Sequence, residues 1–184
     1  MAHKTVQFIA QAFLQAGSEE MQHFYLGLLT GAVKDKPALA DSVLKRALIE
    51  TQNADPAMRR DGLALMQAVA SFRPDLSGQI FEAAKRAIQA DGYPSVRAAG
   101  HKALGAALPY CPEDRAEALR LTRAGLADMA QIRVVAQSNL GFIAGFWPDL
   151  SAAATASAEA ALHRPPERSS VSASPRPFER KQHG

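Results

Sequence analysis

"DGYPSVRAAGHKALGAAL", residues 91–108, decides how the chain reads. Asp91 closes one segment, and Pro94 opens the next, since a proline in a first helical turn gives up only an N–H that has no partner there. Val96-Arg97 follows, and then small and apolar residues recur with a helical period. Sliding this stretch along the chain finds its relatives. An apolar residue followed by Arg stands at Met58-Arg59, Val96-Arg97 and Ile132-Arg133, with a degenerate copy at Met21-Gln22, at intervals of 37, 38 and 36 residues. A second landmark, a proline, stands at Pro37, Pro74, Pro112 and Pro148 with the same three intervals. Two independent markers that share one spacing identify a tandem array.

Each period holds two helices. The prolines predict first helices at about 37–52, 74–90, 112–127 and 148–162, and the dipeptides predict second helices at about 18–34, 55–71, 94–109 and 129–146. Residues 4–16 supply the first helix of the first pair, which makes nine. Composition agrees: the chain is 47% hydrophobic and only 7% aromatic. Ala and Leu are abundant, and the β-branched residues dominate no segment. Within the second helices, offsets 0, 4, 7 or 8, and 11 from the marker lie on one face. Offset 8 is Leu29, Met66, Leu104 and Leu140, and offset 4 holds the small residues Gly62, Gly100 and Ala136. This is a stacking face, and the small residues let neighbouring helices approach.

The proline, the turn aspartate and the Val-Arg pair resemble HEAT repeats, over about residues 4–162. Asp91 with Val96-Arg97 matches best, while Asp128 with Ile132-Arg133 and Asn53 with Met58-Arg59 are weaker copies. The resemblance implies a right-handed α-α superhelix of about nine helices. It further implies a structural ladder between neighbouring units, made here by Asp91, Arg97, Asp128 and Arg133; the alternative is that the arginines bind phosphate or an acidic peptide. The first unit departs from the pattern with Ala16 and Gln22, as terminal repeats do. The Ala-rich last helix reads as a closing cap.

The formal net charge of +3 is located at one end. Residues 163–184 carry five basic and two acidic residues among Pro and Ser, with Val171 and Phe178 as the sizeable hydrophobes. Such a composition reads as a disordered basic tail, separate from a solenoid at 1–162 that is neutral overall. The single Cys111 excludes an internal disulfide and a site built from paired cysteines. No run of apolar residues is long enough to span a membrane, and no leader segment is evident. The expected location is cytoplasmic.

No catalytic or metal motif emerges. The five histidines form no H-E-x-x-H and no His-Glu dipeptide, and phosphate loops and nucleophile elbows are absent. The "GHKALG" of residues 100–105 lies inside a helix, where its glycines serve packing. Cys111, beside Pro112, reads as a turn cysteine. The expectation is therefore no metal, no cofactor and no enzyme.

Projecting offsets 2, 5, 6 and 9 onto the inner face of the second helices gives a concave surface. Its candidate binding residues are Arg60, Leu63, Gln67, His101, Lys102, Gln137 and Ser138, of which only Arg60 and Lys102 carry fixed positive charge. Such a mixed surface suits a protein or peptide partner better than a phosphate backbone. The leading expectation is a non-catalytic interaction scaffold. The alternative is a nucleic-acid-associated protein using the tail and the Lys/Arg rows of the first helices (Lys45-Arg46, Lys85-Arg86, Arg120 with Arg123). Phe142, Ile143, Phe146 and Trp147 read as a core stripe, with a partner anchor as the alternative. Phe8, opposite the face shared by Val6, Ile9 and Phe13, reads as an exposed contact for self-association or a partner protein.

Overall fold

The computed structural model describes residues 2–15 and 17–163. Met1, Ala16 and the segment 164–184 lie outside the described residues, as do the side chains of residues 2–7 and of Glu19, Gln22, His23 and Leu26. The basic-tail reading therefore falls outside them, apart from His163. All regular structure among the described residues is helical: α1 (Ala2–Leu14), α2 (Glu19–Asp35), α3 (Ala40–Glu50), α4 (Pro56–Ala70), α5 (Ser77–Ala90), α6 (Pro94–Ala107), α7 (Arg115–Leu126), α8 (Ala130–Phe146) and α9 (Pro148–Leu162).

The turns between pairs repeat because the prolines dictate them. Lys36, Arg73, Cys111 and Trp147 each precede a proline, and all four adopt nearly the same backbone, with φ of −140°, −137°, −124° and −127°. Clash with the proline ring disfavours the helical region for the preceding residue, so each helix end is forced into one bend. The chain then makes a 3₁₀ turn at Pro37–Leu39, Pro74–Leu76 and Pro112–Asp114 before α3, α5 and α7 begin. The predicted first helices thus open three residues early, whereas Pro148 starts α9 directly.

Turns within pairs are held by side chains. Ser18 accepts from the Met21 N–H at 3.3 Å and Asp55 from the Ala57 N–H at 2.9 Å, capping α2 and α4. Asp91 and Asp128 accept from the N–H groups of Tyr93 and Met129 at 2.9 and 2.7 Å.

Helices pair in sequence order, and the second helices α2, α4, α6 and α8 stack on one another as a layer, so the fold is an α-α superhelix of nearest-neighbour contacts. One continuous core runs from Ala10 to Ala154. The offset-8 residues Leu29, Met66, Leu104 and Leu140 are all buried. The small offset-4 residues face the first helix of their own pair. A Cβ on Gly62 would lie 2.8 Å from the Ala47 carbonyl oxygen, and one on Gly100 would lie 3.2 Å from that of Ala84. α3 and α5 therefore rest directly on the backbones of α4 and α6.

Candidate binding groove

At 100° per residue, offsets 2, 9 and 6 of a second helix lie at about 200°, 180° and 240° from the marker, while offset 5 lies at about 140°. Those directions explain which predicted groove residues the structure brings together. A groove of about 710 Å³ is lined by Arg60, Gln67 and Lys102, together with Asp61, Ser95, Gln131 and the end of α1 at Phe13 and Leu14. Ser95 and Gln131 sit in the first turns of α6 and α8, where the helix dipole places partial positive charge at this edge of the layer. Fixed charge is mixed: Arg60 bonds the buried Asp61 at 2.7 Å, while Lys102 is exposed.

Two of the expected groove residues do not belong there. Leu63 is fully buried and His101 is 1% exposed. Both occupy offset 5, the flank that each unit turns toward the next. Leu63 sits beside Ala83, Ala87 and Val96 of the following pair. The His101 ring lies over Gly125 of α7, so close that a Cβ there would fall 2.6 Å from Nε2. Burial drives the His101 pKa down to about 4 against a weaker pull upward from Asp128, so the ring is neutral, and its Nδ1 has no hydrogen-bond partner. Gln137, at the same offset in α8, is half-buried, and Ser138 is exposed; neither lines the groove. Asn139, which no motif or spacing singles out, is buried and donates to the His101 carbonyl at 2.8 Å. Its amide oxygen fills the space where a Cβ on Gly105 would stand.

The ladder exists, with a changed membership. Arg59 donates through Nε and Nη2 to both oxygens of Asp91 in the next unit, at 2.6 and 3.0 Å. Its Nη1 bonds the turn carbonyls of Asn53 and Ala54. Arg97 repeats this with Asp128 at 2.7 and 2.8 Å and with the carbonyls of Asp91 and Gly92. These bidentate guanidinium bonds hold the Asp91 and Asp128 carboxyls below the usual carboxylate range. Arg133, predicted to be a rung, meets no carboxylate among the described residues; it reaches only the Asp128 carbonyl, at 3.4 Å. Arg59 is the rung the predicted set lacked, and its fit to the 37-residue interval was the signal available for it.

The aromatic reading needs correction as well. Ile143 and Trp147 are buried, but Phe142 and Phe146 are 49% and 50% exposed and stack on each other with centroids 6.3 Å apart. Both stand near the C-terminal end of α8, where they form an exposed aromatic pair. Phe8 is 73% exposed, as its position opposite Ile9 and Phe13 implies. On the first helices, Arg46, Lys85 and Arg120 pair with Glu50, Glu82 and Glu117, and Arg115 pairs with Asp149. Cys111 is buried, and burial, with Asp114 and Glu113 nearby, pushes its thiol up to about 11. That is the opposite of an activated nucleophile. Among the described residues, no group of three or more His, Cys, Asp or Glu is placed to hold a metal ion, and no helix is long and apolar enough to cross a membrane.

Compared with protein-family models and with curated proteins, the chain finds no match.

Proposed function

We propose that this chain is a non-catalytic scaffold of the HEAT-like, armadillo type, holding a protein or peptide partner along the second-helix layer. The observation that carries the reading is the 710 Å³ groove, which takes residues from α1, α4, α6 and α8. An open trough across successive units suits an extended polypeptide. Such a ligand needs hydrogen-bond partners along its backbone, and Gln67, Ser95 and Gln131 offer amides and a hydroxyl at intervals. Arg60 and Lys102 add orientation by charge. The alternative of phosphate contacts along the first helices has less support, because Arg46, Lys85, Arg115 and Arg120 already face carboxylates.

The test places a photo-crosslinking residue at Gln67 in the groove and, as control, at the exposed Gln79 of α5. The adduct captured at 67 is then measured against Lys102→Glu. A polypeptide adduct at 67 but not 79, weakened about tenfold or more by Lys102→Glu (about 1.4 kcal/mol), is the expected result. Equal capture at both positions sinks the groove assignment. Capture of nucleic acid, with affinity falling steeply as salt rises, replaces this reading with the alternative.

A further inference from the structure

The ladder supplies its own internal standard for what Arg133 lacks. Arg59 and Arg97 each hold a carboxylate 32 or 31 residues downstream through Nε and Nη2, while Nη1 is tied to two turn carbonyls, six and five residues upstream. Arg133 stands at the same register in α8. Among the described residues only the carbonyl five residues upstream engages it, through Nη2 and at 3.4 Å, and its shielded Nε finds no hydrogen-bond partner there. The positions 31 and 32 residues on are Arg164 and Pro165, so the chain places no carboxylate at the matching point of its own sequence.

The surroundings match an interface left open. Leu63 and His101, at 0% and 1% exposure, are sealed by the next unit, whereas the equivalent Gln137 is only half-buried. α9 is followed by no further helix among the described residues.

We propose that Arg133 is a docking point for a carboxylate of another protein: an aspartate in a helix-opening turn, laid against the α8 flank where a fifth unit's second helix would lie. On docking, the guanidinium takes the arrangement of Arg59 and Arg97, with Nη1 on the turn carbonyls and the Nε–Nη2 edge on the carboxylate. A second copy stacked head to tail is a poor fit, because its first unit carries Ala16 at the turn position. The chain's own Glu167 is flanked by Arg164 and Arg168, which the guanidinium repels. The surface is separate from the groove, so Lys102→Glu leaves it intact and the two proposals fail independently.

The experiment follows the arginine Nε–Hε resonances of the full ¹⁵N-labelled chain by NMR while N-acetyl-aspartate N-methylamide is added. Inorganic phosphate is added in a parallel series. The expected result is a saturable shift of the Arg133 signal with aspartate, little response to phosphate, and unmoved Arg59 and Arg97 signals, since those already hold carboxylates. On an array of turn-forming peptides, the full chain then prefers Asp over Asn at the turn, and Arg133→Ala reduces that preference at least tenfold while the Arg59 and Arg97 resonances report an intact fold. The proposal is overturned by an unresponsive Arg133, by an equal response to phosphate, or by an Asp preference that survives Arg133→Ala. It is equally overturned if Glu167→Gln shifts the Arg133 signal before any probe is added, because the chain's own segment then fills the site.

Discussion

Gly62→Ala and Gly31→Ala form a matched pair that tests how the units are built. Both glycines lie inside α-helices, so in isolation each substitution gains about 0.8–1.0 kcal/mol of helix propensity. At Gly31 nothing lies within 4 Å of the added methyl, and that gain is realised. At Gly62 the methyl would stand 2.8 Å from the Ala47 carbonyl oxygen and 3.0 Å from the Thr51 nitrogen, both backbone atoms of the α3 end. Backbone cannot swing aside as a long side chain does, so α3 and α4 must separate. Overpacking costs typically 1–3 kcal/mol, and with backbone as the obstacle the upper half of that range applies. The net effect is a loss of about 1–2 kcal/mol. For a chain of this size each kcal/mol moves Tm by roughly 2–4 °C. Gly31→Ala should therefore raise Tm by about 2–4 °C, and Gly62→Ala should lower it by about 2–8 °C, measured by circular dichroism with urea midpoints as a check. If Gly62→Ala melts at or above the unmodified chain, α3 does not rest on the α4 backbone and the account of the small-residue face is wrong.

Three further outcomes follow from the buried electrostatics. A double-mutant cycle of Arg97→Ala with Asp128→Asn should give a coupling energy of about 0.5–3 kcal/mol in urea unfolding. A coupling near zero would mean the ladder does not hold the units together. Because Asp91 and Asp128 titrate below their unfolded values near 4, the ladder's contribution is fully present above about pH 4 and is lost as pH falls through the lower folded values. Asp128→Asn should flatten that acid limb. His101 titrates at about 4 folded against 6.5 unfolded, so the unfolded chain takes up the proton first, and stability should fall as pH drops from about 6.5 to 4, by up to about 3 kcal/mol. His101→Leu should remove this slope; an unchanged slope would place its origin elsewhere.

The array was legible because it is written in one dimension. Prolines and Val-Arg pairs act on their own turns, through a forbidden backbone region and a helix start, so their spacing predicted the helix pairs. The glycines of α4 and α6 were legible for the same reason, since a helical period puts Gly62 and Gly100 on the apolar stripe. The groove was legible only in part. Arg60, Gln67 and Lys102 point away from that stripe on any helical wheel, but Leu63 and His101 lie on a flank whose fate depends on the neighbouring unit.

What the sequence by itself determined is therefore everything that acts within a turn or along one helix: the layout of the nine helices among the described residues, the pairing order, and the candidate rungs. Only the tertiary structure decided the relations between units. It set which flank of each second helix is sealed, that Arg59 and Arg97 find carboxylates while Arg133 meets none among the described residues, and that Phe142 and Phe146 remain half-exposed beside the buried Trp147. The physical reason is that a helical wheel gives direction but not occupancy. Whether a side chain faces water, a neighbour or nothing depends on the unit stacked beside it, and at the last unit of an array that neighbour is no longer dictated by the period.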